Sequence, residues 1–206
     1  MDKLKNIRWY VYWILDYFKG SPVRKYYNEI KLDNYNGTSG EITRGKIQSL
    51  IRHAVETTVF YKNNSPDIDL KDLPIVNKSF YKERYDDFIS SKYRGDKTNR
   101  VMYTSGSTGT PFSILQDKRK IHFNTAAGIY LFTLGNYFIG TKQALIWTWM
   151  RLHKLSRLRA IQENVVKLDC SRLDDNRIRE ILDLIKQKKI KSIFSYASTL
   201  EMILTF

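Results

Sequence analysis

One stretch decides how the fold is interpreted, Tyr103-Thr104-Ser105-Gly106-Ser107-Thr108-Gly109-Thr110-Pro111-Phe112. Apolar residues on both sides of it, in 101–103 and 112–115, predict a tight loop between two strands. Gly106 and Gly109 reach backbone angles closed to residues with a side chain, which lets consecutive N–H groups turn toward one point. Four hydroxyl side chains add donors for an anion: Ser105, Ser107, Thr108 and Thr110. The stretch therefore predicts a loop that wraps phosphate oxygens.

Two common phosphate-binding motifs do not fit this loop. A Walker A loop needs Lys and Ser/Thr after its second glycine, whereas Thr110-Pro111 follows Gly109 here. The dinucleotide fingerprint needs a different glycine spacing and a helix that opens on the loop. A Ser/Gly-rich hairpin turn without a ligand is the alternative interpretation.

The ordered string from Tyr103 to Phe112 resembles the phosphate-binding signature of the adenylate-forming superfamily, the acyl-CoA synthetases and their relatives. It is most similar to the phenylacetate–coenzyme A ligase branch and, within it, to the CapK-like capsular polysaccharide biosynthesis proteins. Phe112 stands where many relatives carry a Lys, as is usual in the CapK-like branch. The resemblance implies ATP phosphate binding by seven consecutive residues: Thr104, Ser105, Gly106, Ser107, Thr108, Gly109 and Thr110.

The resemblance also implies a reaction. Members of the superfamily activate a carboxylic acid with ATP, which gives an acyl-adenylate and pyrophosphate, and then transfer the acyl group to a thiol or another acceptor. The β- and γ-phosphates must be held for in-line departure, usually with Mg²⁺ to neutralise their charge. ATP, Mg²⁺, a small-molecule carboxylate and an acyl acceptor are therefore the implied ligands.

The resemblance covers roughly residues 40–206 and only the N-terminal half of longer relatives. The chain is accordingly divided into an N-terminal helix and loop, 1–40, and a partial AMP-binding subdomain, 41–206, truncated at its C-terminus. The lid lysine of the family would lie beyond Phe206, so no catalytic residue is assigned. We expect the chain to be inactive alone and to need a separate C-terminal half.

A second stretch, Ile193 to Leu200, resembles the strand-to-helix turn that lines the acyl pocket of the family. It implies a substrate pocket that includes Tyr196, Ala197 and Ser198. A strand end capped by Ser198 is the alternative. Arg151 is a further candidate for this pocket. Trp147, Trp149, Arg151 and His153 alternate along and beyond a predicted strand, and α/β sheets bind ligands near the carboxyl ends of their strands. A packed aromatic pair followed by a solvated basic turn is the alternative.

Hydrophobic periodicity predicts an α/β fold: a helical N-terminal portion, then a mixed, mostly parallel sheet flanked by helices. Helices are predicted around 47–59 and 79–88, and residues 21–40 are predicted to form a loop. A helix that follows Asp117 is apolar nearly all round and is expected to be buried. Strands are predicted at 144–149, 165–168 and 192–194. An amphipathic helix that begins at Asp174 is predicted before the last of these strands.

The charge of +14 indicates acidic partners. The basic residues are spread along the chain, which disfavours nucleic acid. Cys170 is the only cysteine, so neither a disulfide framework nor a cysteine-based zinc site is predicted. The apolar run Trp9–Leu15 is too short to span a bilayer and lacks a signal-peptide cleavage site. The predicted compartment is therefore the cytoplasm.

Two functions remain open from the sequence. The first is an ATP-dependent, carboxylate-activating protein in capsular or exopolysaccharide biosynthesis. The second is a non-catalytic basic module that binds nucleic acid or an anionic membrane surface. In the second, the helix around Trp9–Leu15 would lie on the inner face of the membrane, aided by Lys3, Lys5, Arg8 and Lys19; its alternative is to pack on the domain.

Overall fold

Helices make up most of the N-terminal part of the chain. The computed structural model describes residues 6–36, 39–103 and 112–206. Its first helices are α1 (Ile7–Phe18), α2 (Pro22–Asn36), α3 (Ser39–Thr57) and α4 (Lys78–Glu83), with short 3₁₀ turns at Leu70–Asp72 and Tyr85–Phe88. The Asn77 side chain caps α4 by accepting from the Phe80 N–H at 2.8 Å, as its sequence position predicts.

Strands and helices alternate in the rest of the chain. An antiparallel pair comes first, β1 (Arg100–Tyr103) and β2 (Ser113–Gln116). The remaining elements follow in the order α5 (Lys118–Leu134), β3 (Gln143–Trp147), α6 (Trp149–Leu152), α7 (Arg157–Gln162), β4 (Val165–Asp169), α8 (Asp175–Gln187), β5 (Ser192–Ser195) and α9 (Ala197–Leu204).

These elements cluster into two units. One contains Met1–Ser21 and Gly128–Phe206, and the other contains Pro22–Ala127. The first unit holds a three-stranded parallel sheet in the order β4-β3-β5. The α/β class with a small parallel sheet flanked by helices is therefore confirmed, whereas the division at residue 40 stays a prediction.

The core of the first unit lies between this sheet and helices α8 and α9. Alternate residues of β3, Ala144 and Ile146, are fully buried, as is Ile181 of α8. Their neighbours in the same cluster are Leu168, Cys170, Ile178 and Ile203. Apolar spacing of three residues on α8 matches a helix that packs one face on a sheet, and the Asp174 side chain caps its start by accepting from the Arg177 N–H.

Aromatic rings hold part of the second unit together. Phe88 packs 4.4 Å from Phe60 and 4.9 Å from Tyr81 between ring centroids. The guanidinium of Arg84 lies 5.5 Å from the Phe80 ring, which adds a cation–π contact. Helices α2 and α3 of this unit are joined by ion pairs, because Lys46 of α3 contacts the carboxylates of Glu29 and Asp33 of α2.

The structure corrects the predicted loop at 21–40, because α2 occupies Pro22–Asn36. A polar stretch with Pro22 favours a loop, but at the first position of a helix the missing N–H of proline has no intrahelical partner to lose. The side chains of α2 also find partners far along the chain: Tyr26 meets Phe123 with ring centroids 5.7 Å apart.

Two further expectations are wrong. Helix α5 is not buried all round, since Leu131 and Leu134 are 63% and 67% exposed. Strand β3 ends at Trp147 and α6 begins at Trp149, so the alternation expected through residue 153 stops where the backbone becomes helical. The Asp117 carboxylate caps the start of α5 by accepting from the Lys120 N–H at 2.8 Å.

Within the described ranges, no helix is both long and apolar enough to cross a bilayer.

Candidate cleft at the carboxyl edge of the parallel sheet

A cleft of about 680 Å³ opens at the carboxyl ends of β3 and β5. Its described lining comes from the segment that follows β3 and from the residue that follows β5: Thr148, Trp149, Met150, Arg151, His153, Lys154 and Tyr196. None of these seven residues is acidic. The lining therefore combines cationic groups with aromatic and apolar surface, which suits an anion with a flat apolar part.

The topology of the sheet places the cleft. From β3 the chain crosses to β4 on one side and then returns to β5 on the other, so the strand order reverses at β3. Ligands of open α/β sheets bind outside the carboxyl ends of the strands at such a reversal. The side-chain hydroxyl of Ser195 donates to the Ile146 carbonyl at 3.1 Å and fixes the two strand ends beside each other.

Arg151 is the best-positioned cation of the cleft. Its guanidinium carbon lies 4.6 Å from the centroid of the Trp147 ring and 5.9 Å from that of Tyr196. Stacking on aromatic rings holds the planar guanidinium while its N–H donors stay available for a carboxylate or phosphate. The Trp147 ring is itself supported by Phe194, with centroids 5.4 Å apart.

The Arg151 side chain also affects the pKa of the Tyr196 phenol. A hydrogen bond with Arg151, followed by one with Thr148, lowers the pKa of the Tyr196 phenol below its ordinary 10.0. Hydrogen bonding to the charged form of an acid favours that form. The cation on the β3 side of the cleft therefore favours the ionised form of the phenol on the β5 side.

A chain of hydrogen bonds from β4 positions the start of α6. The Asp169 carboxylate accepts from the Ser171 hydroxyl at 2.6 Å, and this hydroxyl oxygen accepts from the Trp149 N–H at 2.9 Å. The Ser171 side chain is the main cause that lowers the pKa of Asp169 below its ordinary value. Because Trp149 begins α6, an ionised Asp169 orients the helix that carries Arg151.

A neighbouring cavity of about 620 Å³ shares Trp149 and His153 with the cleft. It continues along α6 and α7 toward Lys167 and Arg177. The Arg177 guanidinium donates two hydrogen bonds to the Asp169 carbonyl, at 3.1 and 3.0 Å, and Lys167 donates to the Leu155 carbonyl. These cations are engaged by the backbone, so Arg151 remains the stronger candidate for ligand binding.

The second unit contains a cavity of about 490 Å³ along α3. Its charged lining residues are Arg44 and Asp69, and apolar side chains of Ile47 and Ile51 make up much of the rest. One cation beside one carboxylate gives little net attraction for an anion. This cavity therefore fits the predicted chemistry less well than the cleft.

The predicted phosphate-binding residues, 104–110, lie outside the described residues. Their flanking strands, β1 and β2, are present as predicted and pair in antiparallel register from Arg100 opposite Gln116 to Tyr103 opposite Ser113. The phosphate-binding role of Thr104 to Thr110 stays a prediction.

The predicted substrate pocket is brought together in part. Arg151 and Tyr196, which are 45 positions apart in the chain, line the same cleft. Ala197 and Ser198 are exposed in the first turn of α9 and are not among its lining residues. Ser198 is also not the cap of this helix, since Tyr196 occupies the N-cap position without a side-chain hydrogen bond.

Three lining residues had no signal of their own in the sequence: Thr148, Met150 and Lys154. Lys154 belongs to the basic run 151–159, which alone is typical of a solvated surface. The whole segment after β3 becomes a candidate ligand site once β3 is known to be the central strand, because the strand order reverses there.

Among the described residues, no group of three or more His, Cys, Asp or Glu side chains could hold a metal ion.

Comparisons with protein-family models, curated proteins and solved structures find no significant match to this chain. A functional assignment therefore rests on the residues themselves: the Ser/Thr/Gly loop of the sequence and the cationic cleft of the structure.

Proposed function

We propose that this chain takes part in ATP-dependent carboxylate activation of the adenylate-forming type. The cleft at the ends of β3 and β5 receives the reacting anions. Nucleotide phosphate binding by residues 104–110 is supported by their sequence resemblance. The setting in capsular or exopolysaccharide biosynthesis is supported by the sequence resemblance of residues 103–112 alone.

The chemistry explains why a cationic cleft is needed. A carboxylate oxygen must approach the α-phosphorus of ATP, and pyrophosphate must depart with its electron pair. Both reactants are anions and repel each other, so fixed cations at their meeting point lower the barrier. They are most effective when the protein holds them in place before the ligand arrives.

The observation that carries the proposal is the arrangement around Arg151. Its guanidinium is stacked on Trp147 and lies 5.9 Å from the centroid of the Tyr196 ring at the strand-order reversal, with His153 and Lys154 in the same lining. Trp149, which is 61% exposed, adds an aromatic surface for the apolar part of a ligand.

Calorimetric titration of the purified chain with Mg·ATP tests the proposal. We expect saturable binding that weakens about ten- to hundredfold in Arg151→Ala, since a hydrogen bond to a charged group contributes about 1.5–3 kcal/mol. The double variant Ser107→Ala/Thr108→Ala should weaken binding as well, because it removes two predicted phosphate donors. Arg151→Lys keeps the charge but loses the planar stack, and should fall between Arg151→Ala and wild type.

Arg172→Ala is the matched control. Arg172 follows β4 at the same edge of the sheet, is almost fully exposed and lies outside the lining of the cleft. Equal losses of Mg·ATP affinity in Arg151→Ala and Arg172→Ala would show that the effect arises from the overall charge of the chain. Folded wild-type protein that binds no Mg·ATP would refute the proposal.

A further inference from the structure

Helix α1 has its apolar side chains on the outside. At about 100° per residue, its exposed positions fall within one arc of the helix, and all seven are apolar or aromatic: Ile7, Tyr10, Val11, Ile14, Leu15, Tyr17 and Phe18. We call this arc the outer face of α1. The opposite arc buries Trp13 and the carboxylate-bearing Asp16, which are 8% and 5% exposed.

The outer face is large for a protein surface. Tyr10, Tyr17 and Phe18 are 51%, 72% and 79% exposed. With about 200 Å² for a complete aromatic side chain, these three rings alone expose about 400 Å². Contiguous apolar patches rarely exceed a few hundred Å² unless they bind something.

The helix is firmly attached on its other side. Asn6 caps it by accepting from the Trp9 N–H at 3.1 Å, and its amide donates to the Ile139 carbonyl at 3.0 Å. Trp9, Tyr12 and Trp13 pack edge to face along the inner arc. The outer face is therefore presented by a fixed helix.

The charges around the helix favour an anionic occupant. Arg8 and the exposed Lys19 lie on or next to the helix, and the sequence adds Lys3 and Lys5. Between Lys3 and Ser21 the only acidic residue in the sequence is Asp16, which is buried. A second copy of the chain would bring like charges together, whereas anionic lipid headgroups attract them.

We propose that the outer face of α1 docks the chain on an anionic lipid bilayer, with the helix parallel to the membrane plane. Apolar side chains enter the headgroup boundary, and tyrosines occupy the level that aromatic residues favour. Lys19 and its basic neighbours contact the phosphates of the lipids. This inference is independent of nucleotide binding by the cleft.

Cosedimentation of the full chain with vesicles tests the proposal. We expect binding to vesicles made of equal parts phosphatidylglycerol and phosphatidylcholine, and far weaker binding to pure phosphatidylcholine vesicles. Ile14→Asp/Phe18→Asp should lower the affinity about tenfold or more, because both side chains leave the bilayer. Lys19→Glu should lower it less, about threefold to tenfold, and added salt should reduce this difference.

Leu32→Asp/Leu50→Asp is the matched control, since these leucines are 57% and 67% exposed on α2 and α3; it should bind like wild type. Ile14→Gln/Phe18→Gln repeats the test without added charge, and circular dichroism verifies folding of each variant. The proposal is overturned if wild type ignores anionic vesicles, if the control loses as much affinity, or if the outer-face variants convert a dimer to a monomer and vesicles are not bound.

Discussion

Helices α1 and α8 belong to the same unit, but α8 buries its apolar face whereas α1 exposes its apolar face. Helix α8 buries Ile178 and Ile181 against the sheet and directs charged residues such as Glu180 to solvent. Helix α1 buries Asp16 and exposes Ile14 and Phe18. Both contain the apolar residues of an amphipathic helix, so hydrophobic content alone does not tell which face is buried.

The difference separates two uses of apolar surface. On α8 the apolar stripe stabilises the fold, because its burial removes it from water. On α1 the exposed apolar face contributes little to the stability of the isolated chain, and its value must come from a partner. Substitutions on the two helices should therefore have different consequences.

The largest effect is expected from truncation of the buried helix face. Ile181→Ala, at a fully buried position, should lower the free energy of unfolding by about 2–5 kcal/mol, because it removes buried methyl groups and leaves a cavity. Ile14→Ala, at a position 53% exposed, should change it by less than about 0.5 kcal/mol. Urea denaturation of both variants measures the contrast, and similar losses would contradict the assignment of the outer face.

Alkaline pH should weaken the attachment of α1 selectively. Burial, with a smaller contribution from Asp16, raises the pKa of Tyr12 from 10.0 to about 12. The folded chain holds this proton more tightly than the unfolded chain, so the associated stability is complete below pH 10 and is lost as the pH rises to about 12. Because solvent screens the half-buried phenol, the loss amounts to about 1–2 kcal/mol, less than the full shift would give.

Urea denaturation of wild type and Tyr12→Phe across this pH range isolates the effect. Tyr12→Phe lacks the titrating group and should show a shallower alkaline decline. Helix α8 has no tyrosine, so its amide exchange should rise less than that of α1. Identical pH profiles for the two proteins would argue against a buried Tyr12.

The contact between Gly140 and the start of α1 should not tolerate an added methyl group. Gly140 has φ +82, and a Cβ there would lie 2.4 Å from Asn6 Oδ1 and 2.5 Å from Arg8 Cβ. Gly140→Ala should therefore cost about 1–3 kcal/mol by backbone strain and displacement of α1. Gly128→Ala is the control, because a Cβ there meets nothing within 4 Å and alanine favours the helix; thermal unfolding compares the two.

The smallest effects should come from the caps. Asp174→Ala at the start of α8 should cost about 1 kcal/mol by loss of one side-chain acceptor. Asn6→Ala at the start of α1 should cost more, since the Asn6 amide also donates to Ile139. Asn6→Asp restores the cap without this donor and should recover part of the loss in urea denaturation. Full recovery would show that the bond to Ile139 contributes nothing.

Much of the fold was predictable where local signals agree with tertiary packing. The apolar period of α8 and the cap at Asp174 predicted that helix, and the β-branched run at Val165 predicted β4. Helix α2 was missed because a polar stretch with Pro22 favours a loop. The outward orientation of α1 was not predictable, since the same apolar residues fit burial or exposure until their neighbours are known.

The cleft was predictable only in pieces. Arg151 and Tyr196 were each candidates from their own short stretches, yet their meeting depends on β5 pairing with β3 rather than with β4. Nothing in either stretch encodes that strand order. Residues without a local motif, such as Lys154, become recognisable only after the topology is known.

Hydrogen–deuterium exchange of the full chain with and without Mg·ATP tests most directly whether the cleft is the ligand site. The account predicts slower exchange in residues 148–154 and around Tyr196, together with the loop 104–110, and unchanged exchange in α1 and α3. Unchanged exchange after β3 and β5 in protein that demonstrably binds Mg·ATP would contradict it, and would place the nucleotide elsewhere.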